Sequence, residues 1–94
     1  MNMKDFSLEG KIAWITGASY GIGFAIAEAF AAAGATIVFN DINQDLVNKG
    51  LAAYAEKNIP AHGYVCDVTD EEAVQALIKK IEQEVGVIDR KSVV

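Results

Sequence analysis

With 94 residues, the chain has room for one small domain, and a chain of that size buries only about 60–65% of the surface its unfolded form exposes. A composition of 52% hydrophobic and 22% charged residues excludes a disordered or collagen-like chain and suits an α/β protein. The net charge of −5, with basic residues scattered apart from Lys79-Lys80 and Arg90-Lys91, excludes the basic face that neutralises nucleic-acid phosphates.

The segment Met1 to Asp5 carries charge with no apolar run behind it, which is not the pattern of a secretory signal. No stretch approaches the ~20 apolar residues of a membrane span. A cytoplasmic protein with no membrane or nucleic-acid partner is the expectation. Lys11 to Thr16 is then a short apolar run without polar alternation, which predicts a strand covered on both faces. From Gly21 to Ala33 the period changes, with Ile22, Ala25, Ile26, Ala29, Phe30 and Ala33 at helical spacing. Gly34 stands where a left-handed cap is wanted.

Ala35 to Asn40 predicts a second strand, rich in β-branched and aromatic residues, that ends at Asp41. A helix follows from Gln44 to Lys57, with Leu46, Val47, Leu51 and Tyr54 on its apolar side and Gly50 as a weak point. Pro60 breaks the chain, and Ala61 to Cys66 predicts the third strand. Thr69-Asp70-Glu71-Glu72 has the pattern of a capping box, and Val74, Leu77, Ile78, Ile81 and Val85 carry a third helix to Gly86. Val87-Ile88 begins another apolar run, which Asp89-Arg90-Lys91-Ser92 interrupts.

This order predicts an α/β fold: the N-terminal β-α-β-α-β-α half of a Rossmann-like, doubly wound parallel sheet. Right-handed crossovers give a strand order of 3-2-1, with the first two helices on one face and the third on the other.

The chemistry lies in Thr16-Gly17-Ala18-Ser19-Tyr20-Gly21-Ile22-Gly23, between a strand and a helix, where a phosphate-cradling loop belongs. Gly17 permits the tight turn, Gly21 lets backbone approach a pyrophosphate, and Gly23 lets helix and strand pack closely. Asp41, at the end of the second strand, can accept both ribose hydroxyls of an adenosine. Asp67, at the end of the third, can meet the adenine amine. Bland roles suit the remaining candidates. Trp14 and Phe39 are core residues, Cys66 is a small buried hydrophobe and His62 is exposed. Glu71-Glu72 is first-turn helix charge. One Cys and one His predict no metal site.

The octet Thr-Gly-Ala-Ser-Tyr-Gly-Ile-Gly resembles the TGxxxGxG cofactor motif of the short-chain dehydrogenases/reductases. Asn40-Asp41 is similar to that family's second-strand end, and Asp67-Val68 to its adenine contact. The resemblance runs from about Leu8 to Asp89, and in detail it points to the bacterial gluconate 5-dehydrogenase branch. It implies hydride transfer between a secondary alcohol and NAD or NADP, with homo-oligomers the rule among full-length members. It also implies that Ser19, Tyr20, Ile22 and Val68 line the cofactor beside Gly17, Gly21, Gly23, Asp41 and Asp67.

Asp41, flanked by Asn40 and Ile42 and by no cation, points to NAD. Tyr20 packs over the ribose or faces solvent. The likeness ends where the family continues with an apolar strand and an Asn-Asn-Ala-Gly motif, and here Arg90-Lys91-Ser92-Val93-Val94 follows. No catalytic residue is assigned, since the family's serine has no counterpart. Residues Phe24, Asn58 and Val68 stand where a Tyr-x-x-x-Lys pair would need lysine after Tyr20, Tyr54 and Tyr64. The expectation is a partial cofactor domain over residues 1–94, cut short after about residue 89, inactive alone and prone to self-association. A self-sufficient nucleotide-binding module and a methyltransferase-like fold remain as alternatives.

Overall fold

Apolar residues at both odd and even positions of a strand demand cover on both faces of the sheet, because successive side chains point to opposite sides. The computed structural model describes residues 8–86 and meets that demand. The expectations for Met1 to Asp5, the Val87-Ile88 run and the residues after it lie outside this range. The described residues form β1 (Ile12–Thr16), α1 (Gly21–Ala32), β2 (Thr36–Asp41), α2 (Gln44–Glu56), β3 (Ala61–Val65) and α3 (Glu71–Glu84).

All pairing is parallel. Ile12 to Thr16 face Thr36 to Asn40, and Ile37 to Asp41 face Ala61 to Val65, which leaves β2 in the centre with the order β1-β2-β3. Read from the other edge, this is the expected order. Odd positions Ala13, Ile15, Ile37 and Phe39 pack with Ala27 of α1 and Val47 and Tyr54 of α2. Even positions Trp14 and Val38 pack with Cys66 and with Leu77 and Ile81 of α3. The third helix therefore covers the opposite face, as the crossover requires. Tyr64 of β3 adds a tether, donating to Glu84 Oε2 at 2.8 Å. Burial first, and then that carboxylate, pushes its phenol up to about 12.

Two local expectations are revised. The third helix is capped by Asp70, whose Oδ1 accepts from the Ala73 N–H at 3.2 Å. Thr69 is not the cap because its hydroxyl is committed to Asp67 at 2.7 Å. With the cap one residue later, the third helical position is Ala73, and no reciprocal capping box forms.

Gly50 is the second revision, since α2 runs through it unbroken. A Cβ there would lie 2.8 Å from Phe39 Cε2 and 3.0 Å from Ser19 Cα, so glycine brings the helix onto the sheet. Alanine would gain about 1 kcal/mol of helix propensity, but overpacking a filled core costs about 1–3 kcal/mol. Phe39 is fully buried and cannot swing aside. Gly50→Ala is expected to lower the melting temperature; an unchanged or raised value would show that the Phe39 ring yields.

Candidate functional site

Parallel strands deliver the loops that follow them to a single edge of the sheet. There Gly17 follows β1, Asp41 ends β2, and Cys66 and Asp67 follow β3. Together with Thr16 and Asn40 they line a cavity of about 340 Å³. Ile42, Val68 and Thr69 complete its wall, and Ile42 and Val68 are exposed at 63% and 53%. Two apolar side chains beside two carboxylates form the surface that a flat, polar-edged ring system would occupy.

The floor of this cavity is held by Asn40, which is buried. Its Oδ1 accepts from Trp14 Nε1 at 2.7 Å, and its Nδ2 donates to the Cys66 carbonyl at 3.3 Å. One carboxamide thus links all three strands, and backbone bonds from the Gly17 N–H to the Asn40 carbonyl and from the Cys66 N–H to the Asp41 carbonyl, both 2.9 Å, complete the seam. Sequence reasoning treated Asn40 only as the neighbour of Asp41. A polar residue at the end of a doubly covered apolar strand was the available signal. Ile42 was also missed, though its position beside Asp41 placed it at the cavity.

Above the floor, the loop from β1 to α1 depends on Gly17 and Gly21, at φ +64° and +67°, a region that other residues adopt at a cost. Gly23 answers a different need, since a Cβ there would lie 2.7 Å from the Gly17 carbonyl and 3.0 Å from Ala18 Cα. The helix therefore starts hard against its own turn.

Helix α1 follows Tyr20, its N-cap residue in extended conformation, with no side-chain cap and no acid in its first turn. In contrast, Asn43 caps α2, with Asp45 in the first turn, and Asp70 caps α3, with Glu71 and Glu72. The positive end of α1 carries no compensating side chain, a setting that favours an anion. Ser19 is buried, and its hydroxyl has no hydrogen-bond partner. A desolvated group of this kind costs about 1–3 kcal/mol until something bonds it. Tyr20 and Ile22 are exposed at 66% and 82%; Tyr20 thus faces solvent in this structure.

The carboxylates differ in their local bonding. Asp41 is half-buried and accepts from the Ile42 N–H at 2.9 Å. Asp67 Oδ1 accepts twice from Thr69, from the hydroxyl at 2.7 Å and from the backbone N–H at 2.9 Å. Those two bonds, the hydroxyl's first, hold the Asp67 carboxyl below the usual aspartate range. Burial pushes the Cys66 thiol up, with the charges of Asp67 and Asp70 adding to it, so it stays a thiol and not a nucleophilic thiolate.

The arrangement fits an adenosine diphosphate group. The glycine loop, the uncapped helix end and the unpartnered Ser19 hydroxyl could take its phosphates, and Asp41, Asp67, Ile42 and Val68 line the adjoining cavity. The sequence matches the short chain dehydrogenase family over residues 11–90, and the chain belongs to that family. With this, the methyltransferase-like alternative falls.

Among individual proteins, the chain is 44% identical over 90 residues to a 2-dehydro-3-deoxy-D-gluconate 5-dehydrogenase of Formosa agariphila, covering 95% of this chain and 34% of that protein. It is 44% identical over 89 residues to a probable NADP-dependent mannitol dehydrogenase of Yarrowia lipolytica, covering 93% and 31%. The crystal structure of 2-keto-3-deoxy-D-gluconate dehydrogenase from Streptococcus agalactiae superposes with a TM-score of 0.88 at 70% identity, covering 89% of this chain and 32% of that one. The chain therefore spans about a third of the length of the relatives it matches.

Removing the Thr69 hydroxyl tests the Asp67 turn. A carboxyl whose pKa is depressed by folding adds stability above its unfolded value, about 3.9, and loses it as pH falls through the folded value. Thr69→Val is expected to raise the Asp67 pKa towards the ordinary value, read by carboxyl-carbon NMR titration, and to weaken the fold most above pH 4. No movement in the titration would show that the hydroxyl bond is not what depresses it.

Proposed function

We propose that these residues form the adenosine-binding half of an NAD-dependent oxidoreductase acting on a sugar acid, of the gluconate 5-dehydrogenase type. One observation carries the reading: the uncapped start of α1, the glycine loop and two strand-end carboxylates share one edge of the sheet. That edge is where an open parallel sheet takes its ligand. The bound dinucleotide would supply the hydride-accepting nicotinamide. Gly17, Gly21 and Gly23 bring backbone donors to the pyrophosphate, and the partial positive end of α1 offsets its charge. Asp41 accepts from the ribose hydroxyls, and Asp67 with Val68 borders the adenine. Support for a sugar-acid substrate comes from the names of the Formosa and Streptococcus relatives, both dehydrogenases of a 3-deoxygluconate keto acid.

Cofactor choice follows from charge. A 2′-phosphate would meet the Asp41 carboxylate with Asn40 and Ile42 beside it and no cation from either neighbour. Repulsion of this kind in a partly solvated site is worth roughly tenfold in affinity. Calorimetric titration is expected to show NAD binding tighter than NADP, and Asp41→Ala should erase the preference. NADP binding tighter, in an order that Asp41→Ala leaves unchanged, would refute the assignment.

The 94-residue sequence holds no Tyr-x-x-x-Lys pair, and the described residues form no second wall against which a sugar acid could meet a nicotinamide. General acid/base groups alone contribute typically about 10²–10⁴-fold. Among the described residues β1 pairs only with β2, and an open apolar edge of this kind recruits other chains. The isolated chain is expected to bind NAD weakly, to migrate as dimers or larger species, and to oxidise no polyol or sugar acid in a nicotinamide absorbance assay. Turnover that disappears in Gly21→Asp would show that the site is complete within these residues. A monodisperse, cooperatively melting monomer would favour a self-sufficient binding module.

A further inference from the structure

The hydroxyl of Tyr54 reaches the phosphate loop from the far side of the core. Tyr54 lies in the last turn of α2, is 1% exposed, and donates from Oη to the Ala18 carbonyl at 2.6 Å. Its ring is fixed from two directions. Phe24, in the first turn of α1, stacks on it with centroids 4.4 Å apart and 25° between planes. Phe39 of β2 leans on it at 5.1 Å. One turn earlier on the same face of α2, Gly50 admits the Ser19 backbone, to which a Cβ would come within 3.0 Å. Positions 50 and 54 are neighbours on a helix surface, so a single strip of α2 meets two consecutive loop residues.

The consequence is directional. The peptide bonds are trans, and a trans peptide points its carbonyl and its N–H in opposite directions. With the Ala18 carbonyl drawn onto Tyr54, the Ser19 N–H is turned away from α2. We propose that Tyr54 is a positioning residue for the phosphate half of the dinucleotide site. Through its hydroxyl, α2 sets the Ala18–Ser19 peptide plane and with it the direction of the donors offered to a pyrophosphate. The inference rests on the reading of the loop as a dinucleotide site. Because α2 follows Asp41 after a two-residue turn, the same helix also fixes the distance between the ribose acid and the phosphate loop. Burial, and then the charge of Glu28, raises the phenol pKa, so the donor keeps its proton throughout the working pH range.

Adenosine and ADP separate the two halves of the site, since both reach Asp41 and Asp67 and only ADP reaches the loop. Each is titrated by calorimetry against the full chain and against Tyr54→Phe, which keeps the ring stack and loses only the donor. ADP is expected to bind the parent chain more tightly than adenosine does. In Tyr54→Phe the ADP affinity should fall on the order of fivefold to tenfold, the worth of one hydrogen bond, with adenosine unchanged. Phe24→Leu loosens the same stack without touching the hydroxyl, and should lower the melting temperature while keeping the ADP-to-adenosine ratio. A Tyr54→Phe variant that keeps the parent ratio, weakens both ligands equally or fails to fold would assign the hydroxyl to core packing and overturn the proposal. A parent chain with no preference for ADP would overturn the dinucleotide reading, and this inference with it.

Discussion

Burial of β2 on both faces is the constraint from which the rest of the structure follows. Ile37, Val38 and Phe39 are fully buried, one face under α1 and α2 and the other against α3. A strand in that position has no solvated face for polar side chains, so they collect where it leaves the sheet. Asn40 and Asp41 stand at that exit. Asn40 remains buried only because Trp14 and the Cys66 carbonyl satisfy its carboxamide. Asp41 is pushed to the rim. The packing requirement of the strand and the placement of the acid at the cavity rim are therefore one and the same arrangement.

Close approach on the α1 and α2 side depends on missing side chains as much as on present ones. Gly50 and Gly63 stand where a Cβ would come within 2.8 Å of the Phe39 ring, and Gly23 where it would meet the Gly17 carbonyl. These absences let Phe24, Tyr54 and Phe39 form one aromatic stack between two helices and the central strand. At the outer end of the stack, the Lys57–Glu28 ion pair at 3.0 Å joins α2 to α1, with Lys57 over the Phe24 ring. That pair is largely exposed and adds little. The stack and the Tyr54 hydroxyl carry the connection.

The three helix starts divide the electrostatic work. α2 and α3 neutralise their own positive ends with Asn43 and Asp70 as caps and with acids in the first turn. α1 has none of these, and it alone follows a loop of glycines. A chain of net charge −5 thus keeps one local site suited to an anion. That site lies at the same edge of the sheet as the Asp41 and Asp67 carboxylates.

Much of this was legible in the amino-acid order. Apolar periodicity with its glycine, proline and capping breaks placed all six elements, and the right-handed crossover gave the strand order and the side of the sheet taken by each helix. That Gly17, Asp41 and Asp67 would meet at one edge of the sheet was legible because each follows or ends a parallel strand. What the sequence could not determine depends on distances between residues far apart in the chain. Gly50 read as a helix weakness until the Phe39 ring and the Ser19 backbone were found against it. Thr69 read as a cap until Asp67 claimed its hydroxyl. Asn40 and Tyr54 read as a strand end and a core aromatic, and their hydrogen bonds cross 26 and 36 residues. A side chain's propensity belongs to its own position, whereas its hydrogen-bond partner is chosen only when the sheet and helices close.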